Sequence, residues 1–175
     1  MQSKWYDQKA LWLSLGVVAG LCVSFLWPHE RALASTVDRN AQFALITVPV
    51  GQQGAGLSDP LEGVFVLDFL TGTLKGAVLS RQTGQFVVNY YRSVADDFKL
   101  KRGVEPRYAI STGVAQLSGR GGLTFASGVI YVGELTSGKI ISYSFGWRET
   151  RNPILLPQPL FPTSEFQFRE PTEEK

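Results

Sequence analysis

The sequence predicts a mainly β protein: an antiparallel meander of about seven strands, forming a sheet or a small sandwich, preceded by one N-terminal helix. Three observations predict this fold class. Short runs rich in β-branched and aromatic residues alternate with Gly-containing turns from residue 43 to residue 147. The chain carries 18 glycines, which suit tight hairpin turns. One uncharged stretch near the N-terminus has the length of a long apolar helix. The 175 residues leave room for one domain and its appendages.

The first 34 residues are predicted to be a separate membrane or signal segment. Ala10–Trp27 contains no charged residue, and as a helix it would rise roughly 27 Å, close to a bilayer core of about 30 Å. Pro28 would end this helix. Two alternatives stay open: a retained single-pass anchor, or a signal peptide cleaved after Ala34 at an A-x-A sequence.

Both alternatives place the rest of the chain outside the cytoplasm. Lys4 and Lys9 precede the apolar stretch, and a basic flank stays on the cytoplasmic side of a bacterial membrane. The sequence therefore predicts the lipid bilayer as a partner of Ala10–Trp27, a cytoplasmic N-terminus, and a domain on the extracytoplasmic (periplasmic) side. Cleavage after Ala34 would release that domain as an exported protein. The single cysteine, Cys22, lies in the apolar stretch, so the exported part has neither a disulfide nor a thiol nucleophile.

Residues 35–147 are predicted to form the extracytoplasmic β domain. It begins with a polar linker, Ser35–Asn40, and a Gly-rich loop occupies residues 51–60. One helical turn is predicted from Ser93 to Phe98. The predicted strands are Phe43–Val50, Gly63–Leu70, Thr73–Ser80, Gln85–Arg92, Arg107–Leu117, Leu123–Glu134 and Lys139–Trp147.

Residues 148–175 are predicted to be a proline-rich extended segment followed by a charged tail. Four prolines fall within residues 152–162, and proline removes hydrogen-bond donors from a strand, so no regular strand is expected there. The apolar side chains of this segment are expected either to cover the sheet or to dock on a partner. They are Ile154, Leu155, Leu156, Leu160 and Phe161.

One short pattern occurs twice, 66 residues apart. VFVLDFLTGTL at residues 64–74 aligns without a gap on IYVGELTSGKI at residues 130–140, which pairs Asp68 with Glu134 and Gly72 with Gly138. Glycine supplies the positive φ that hairpin loops need, and the preceding Thr or Ser helps to fix the turn. The repeat therefore predicts two similar hairpins. The two acids are exposed groups beside the turns, or partners of Lys75 and Lys139, or, if they converge, a small-ligand site.

The repeated pattern also resembles hairpins in quinoprotein-type β-propeller blades, although the chain is too short to close a propeller. A broader resemblance rests on three segments: KWYDQKALWLSLG at the start, VFVLDFLTGTLKGAVLSRQTGQF in the middle, and VIYVGELTSGKIISYSFGW near the end. With these segments the chain is similar to an uncharacterised family of exported, N-terminally membrane-anchored proteins of planctomycete bacteria. The resemblance implies anchoring and a single domain, and it brings no activity, cofactor or catalytic residue.

The composition excludes several catalytic chemistries from the exported domain. The one histidine, His29, lies at the predicted membrane boundary, so the domain lacks Ser-His-Asp and Cys-His sets and His/Cys zinc sites. Carboxylate chemistry remains, because paired acids hydrolyse glycosidic bonds. Asp96 and Asp97 are adjacent, but they lack the spacing of a calcium loop. No metal site and no cofactor are predicted.

A basic cluster falls around the predicted helical turn. It is either a solvated loop of mixed charge or a surface for an anionic polymer or lipid head groups. The net charge of +2 is too small to indicate nucleic acid as a partner. The cluster consists of Arg92, Lys99, Lys101, Arg102 and Arg107.

The leading hypothesis is a membrane-tethered extracytoplasmic β domain that acts by association with itself or with envelope proteins, without catalysis. Exposed strand edges favour pairing with another chain. The first alternative is a small-ligand or cofactor-binding domain with its site near Asp68 and Glu134. The second is an acid-based glycan hydrolase.

Overall fold

The computed structural model describes residues 37–39, 41–51, 61–99, 105–119 and 122–169, together with Trp12, Gly16 and Val17. The chain divides into two compact units, Met1–Ala34 and Ser35–Lys175. Apart from those three residues, the predicted span Ala10–Trp27 lies outside the described residues. Within the described residues, we find no helix with the length and apolar character needed to cross a membrane.

The described part of the second unit contains nine strands and one short helix, so the prediction of a mainly β protein is confirmed. The helix, α1, is Val94–Phe98. The strands are β1 (Val37–Arg39), β2 (Phe43–Pro49), β3 (Glu62–Asp68), β4 (Thr73–Leu79), β5 (Phe86–Ser93), β6 (Tyr108–Val114), β7 (Gly128–Glu134), β8 (Lys139–Phe145) and β9 (Gln158–Gln167).

All nine strands belong to one sheet in the order β1-β2-β3-β4-β5-β9-β8-β7-β6. Strands β1 to β5 form one antiparallel meander, and β6 to β8 form a second. Strand β9 joins the two meanders, antiparallel to β8 and parallel to β5. The sheet is therefore mixed, and it contains two strands more than predicted, because the linker supplies β1 and the proline-rich segment supplies β9.

The expectation of no regular strand in the proline-rich segment is wrong. Proline is tolerated at the start of a strand, at a strand edge and at a bulge, where no ladder donor is lost. Pro159 lies at the start of β9, and Pro162 lies where the β8–β9 register shifts by one residue. Leu160, between the two prolines, is fully buried and joins the core.

The sheet curls until it nearly closes into a barrel, with the hydrophobic core inside. Strand β2, next to one end of the strand order, also packs against β6 and β7 at the other end. Alternate residues of β2 and β3 are buried, as expected for strands with one face toward a core. The rings of Phe65, Tyr90 and Phe145 meet inside, with centroids 5.0–5.8 Å apart.

The predicted helical turn is confirmed, but the N–H groups at its start bond to a different acceptor from the one expected. Ser93 makes no side-chain capping bond. Instead, the backbone N–H groups of Val94 and Ala95 donate to the carbonyl of Gly72, at 2.9 and 3.2 Å. The β3–β4 turn thus supplies the acceptor that holds α1 against it.

Candidate functional site

Asp68 closes the β3–β4 turn through its own side chain. Its Oδ1 accepts the backbone N–H groups of Leu70 at 2.9 Å and Thr71 at 3.2 Å. Hydrogen bonds from the side chain and backbone of Thr71 lower the pKa of Asp68, since they favour the charged carboxylate. Gly72 follows with φ +61°, the conformation that the turn requires.

Glu134 closes the β7–β8 turn in the same way, but it is fully buried. Its Oε1 accepts the N–H groups of Thr136 at 3.0 Å and Arg107 at 3.1 Å, and its Oε2 accepts that of Ser137 at 2.5 Å. Burial acts to raise the pKa of Glu134, but the bonds from Ser137, Arg107 and Thr136 outweigh it, so the pKa is lowered. Gly138 takes φ +70°.

The two turns lie at the same end of the sheet, on either side of the Tyr108 ring. Tyr108 is the cross-strand partner of Glu134, and its ring centroid lies 6.4 Å from that of Phe69 in the other turn. Each carboxylate nevertheless bonds to the backbone of its own turn. The repeat thus builds two hairpins with the same closure, and the turn geometry accounts for both acids.

The lowered pKa values predict that stability falls in acid. A carboxyl whose pKa is lower in the folded state stabilises the fold above its unfolded pKa, about 4.3 for Glu. That stabilisation is lost as the pH falls through the folded pKa. We expect the free energy of unfolding to hold steady from pH 7 to about pH 5 and to decline below pH 4.3.

Denaturant unfolding at a series of pH values, followed by circular dichroism, measures this dependence. Glu134→Gln is the matched variant, because it removes the titrating group and should flatten the decline between pH 5 and pH 3. A decline of equal slope in both proteins would contradict the assignment.

The structure describes three residues of the predicted basic cluster, Arg92, Lys99 and Arg107, and Arg92 is engaged in an ion pair. Arg92 donates to both carboxylate oxygens of Asp97 in α1, with Nε to Oδ2 at 2.9 Å. The buried Tyr143 hydroxyl donates to Oδ2 of Asp97 at 2.9 Å. This set ties α1 to β5 and β8. Lys99 and the Arg107 side chain are exposed, while Lys101 and Arg102 lie outside the described residues.

An open cleft of about 450 Å³ lies between residues 115–119 and residues 125–127. Its volume falls in the range of small-ligand sites. The cleft adjoins Val114 and Gly128, which pair at the opposite end of β6 and β7 from Tyr108 and Glu134. It therefore contains neither of the acids that the repeat singles out. Within the ranges that the structure describes, no group of three or more His, Cys, Asp or Glu side chains could hold a metal ion.

The most unusual feature is one edge of β9. Strand β9 pairs with β8 from Leu160 to Gln167, but its pairing with β5 stops after two residues, Gln158 and Pro159. No strand in the described part of the chain pairs with residues 161–167 on the side away from β8. We call this side the free edge of β9.

Along the free edge, the side chains on both faces of β9 are exposed, and several of them are apolar. All residues from 161 to 167 are exposed. Phe161 is 38 % exposed, Phe166 is 62 % and Phe168, just beyond the strand, is 39 %. Sequence reasoning missed this edge, although the alternation of aromatic and polar residues in EFQFR at 165–169 is a strand signal.

A second exposed apolar surface lies at the other end of β5. The Ile154 N–H donates to Val87 O at 2.7 Å, and Leu79 is the cross-strand partner of Phe86. Leu155 is 90 % exposed and Leu156 is 75 %. Leu160 is buried in the core, whereas residues 154–156 are exposed. Residues 154–156 therefore do not cover the sheet.

Comparison of the chain with protein-family models, with curated proteins and with solved structures finds no match. The resemblances to propeller hairpins and to exported planctomycete proteins stay predictions.

Proposed function

We propose that this protein acts by association: a strand of another polypeptide adds to the free edge of β9, and no catalytic step follows. The observation that carries the proposal is that, among the described residues, no strand pairs with residues 161–167 of β9 on the side away from β8. Strand addition to such an edge supplies main-chain hydrogen bonds for affinity and side-chain contacts for specificity.

The placement of proline on β9 supports this use of its edge. Soluble proteins commonly protect edge strands with proline and charge. Pro159 and Pro162 lie in the first half of β9, and residues 163–167 contain no proline. The second half of β9 therefore keeps every backbone donor that strand addition needs.

The surroundings of the acids favour association over hydrolysis. A general acid of a glycoside hydrolase has a raised pKa, whereas the pKa values of Asp68 and Glu134 are both lowered. The bonds from N–H groups also compete with any cation or ligand for the carboxylate oxygens. We propose that the domain is held on the extracytoplasmic side of the membrane by the predicted Ala10–Trp27 anchor, which would concentrate it for weak contacts.

Phe166→Lys tests the proposal. A charged side chain on an edge strand opposes strand addition, and loss of an aromatic anchor costs about 2 kcal/mol or more. Capture of the partner polypeptide should therefore fall at least about tenfold. The measurement is chemical cross-linking of the tagged full-length chain in membranes, followed by quantification of every cross-linked species.

Phe86→Lys is the matched control. Phe86 is an exposed phenylalanine of similar exposure, 54 %, and belongs to the second apolar surface. Its replacement should leave capture unchanged. If Phe86→Lys abolishes capture while Phe166→Lys does not, association runs through the second surface and the proposal fails.

A further inference from the structure

We infer that the strand added to β9 is β9 of a second copy of this chain, antiparallel to the first about a two-fold axis at Gln167. The inference rests on the proposed function, which alone leaves the identity of the partner open. Its basis is a segment that is complementary to itself and whose first three residues, 165–167, lie on the free edge.

The segment Glu165-Phe166-Gln167-Phe168-Arg169 reads as a charge-complementary palindrome. Two antiparallel copies centred on Gln167 place Glu165 opposite Arg169 of the second copy, and Phe166 opposite Phe168. Gln167 then lies opposite Gln167 of the second copy. Opposite charges and aromatic pairs directly across two strands are both stabilising.

The backbone directions permit this register. The Phe168 N–H donates to Gly138 O at 2.8 Å, on the β8 side, and the Arg169 N–H donates to the same carbonyl at 3.3 Å. The ladder therefore ends at Gln167, and Arg169 meets Glu165 of the second copy through its side chain alone. Because N–H groups alternate along a strand, the Phe166 N–H also points to β8, and those of Glu165 and Gln167 point to the free edge. In a register centred on Gln167, the outward groups of the two Gln167 residues therefore meet as a hydrogen-bonded pair.

Charge separates this register from the neighbouring ones. The backbone N–H groups that point to the free edge also meet those of the second copy in two other registers, one centred on Glu165 and one centred on Phe166. Centring on Glu165 sets two carboxylates against each other, which is destabilising. Centring on Phe166 places Arg169 opposite Thr163 and forms no ion pair. Only the Gln167 register of these three pairs both charges.

The fold positions Glu165, whereas the Arg169 guanidinium lies 5.8 Å from the centroid of its own Phe168 ring and turns from there to Glu165 of the second copy when the strand adds. The Lys139 ammonium bonds to Oε2 of Glu165 at 3.1 Å, which leaves Oε1 to accept an N–H from Arg169 of the second copy. The Gln167 side-chain amide donates to Ser137 O at 2.7 Å and to Arg169 O at 2.6 Å, and so fixes the backbone beside Arg169. Phe166 lies on the same face as its cross-strand partner Ile140, opposite to the face that carries Glu165.

Charge exchange tests the inference. Glu165→Arg alone sets arginine against arginine, and Arg169→Glu alone sets glutamate against glutamate. Each single variant of the full-length chain should lose self-association at least about tenfold, as like charges directly opposed cost more than one decade in affinity. A mixture of the two variants should form heterodimers as well as the wild-type chain forms dimers, and the double variant Glu165→Arg/Arg169→Glu should recover homodimers.

The readout is co-purification of two differently tagged full-length copies from one membrane preparation. Lys139→Gln is the control for the intramolecular ion pair that Glu165→Arg also removes, and it should leave self-association unchanged. Thermal unfolding of each variant checks that the fold is kept.

The outcomes separate this inference from the proposed function. If Phe166→Lys abolishes capture but the mixture and the double variant recover nothing, the free edge binds another polypeptide and the second-copy inference is overturned. If Phe166→Lys leaves capture unchanged, the proposed function itself fails. Recovery in the mixture supports both.

Discussion

Gly128→Ala is expected to lower the free energy of unfolding by about 3 kcal/mol or more. Gly128 begins β7 where this strand packs against the end of β2. An added Cβ would lie 2.2 Å from Pro49 O and 2.4 Å from Val48 Cγ1. One of those atoms is backbone, so the strain cannot be relieved by a side-chain rotation. The contact that brings β2 against β7 would open, and core burial would be lost with it. Denaturant unfolding followed by circular dichroism measures the change.

Gly133→Ala is the matched control, since it makes the same substitution five residues later in β7. A Cβ at Gly133 would meet Ile140 Cγ1 at 3.5 Å, an ordinary van der Waals distance. Its effect should stay within about 1 kcal/mol, because loss of glycine flexibility in the unfolded state offsets small adjustments. Equal destabilisation by the two variants would show that β7 tolerates a side chain at neither position. The close approach of β2 would then not be the cause of the destabilisation by Gly128→Ala.

Glu134→Gln is expected to destabilise the fold by about 2 kcal/mol at pH 7. Glu134 uses both carboxylate oxygens, Oε1 for two N–H groups and Oε2 for a third. A glutamine places an NH2 group where one oxygen accepts a bond, so at least one of these three N–H donors loses its acceptor. Unfolding in denaturant at pH 7 measures this loss.

Asp68→Asn is the comparison that the repeat itself provides. Asp68 accepts the backbone N–H groups of Leu70 and Thr71 through Oδ1 alone, and an asparagine keeps that oxygen. Asp68→Asn is therefore expected to lower the free energy of unfolding less than Glu134→Gln does. If Asp68→Asn destabilises the protein as much as Glu134→Gln, burial and the second oxygen do not set the difference.

Local sequence signals predicted much of the fold. The Thr-Gly and Ser-Gly turns marked the two repeated hairpins, and both glycines take the positive φ that such turns need. The helical turn after Ser93 was also predicted. These features depend on residues close together in sequence, so the sequence alone carries their cause.

Long-range pairing was not predictable in the same way. Parallel pairing of Tyr90 and Tyr91 with the start of β9 joins residues 68 positions apart, and no local pattern specifies it. Likewise, Asp68 and Glu134 occupy matching positions, yet only Glu134 is buried and bonds to Arg107. That difference comes from Arg107, which directly precedes β6 and lies 27 residues before Glu134.

The proline-rich composition misled the expectation for residues 152–162. Proline interrupts a strand only where the ladder needs the N–H donor that proline lacks, so its effect depends on its position in the strand. On β9 the prolines occupy the strand start and the bulge, and the alternating EFQFR segment continues the strand past them. The free edge, and the proposed site with it, follows from this placement.

Hydrogen exchange of single amides along β9 tests the central claim most directly. In the full-length chain diluted in detergent, the amides of Glu165 and Gln167 should exchange fast, while those of Ser164 and Phe166, bonded to β8, should exchange slowly. In the cross-linkable assembly purified from membranes, Glu165 and Gln167 should slow by about a hundredfold or more as they enter a new ladder. Fast exchange of both amides in the assembly, with protection only around Phe86 and residues 154–156, would contradict pairing at the free edge.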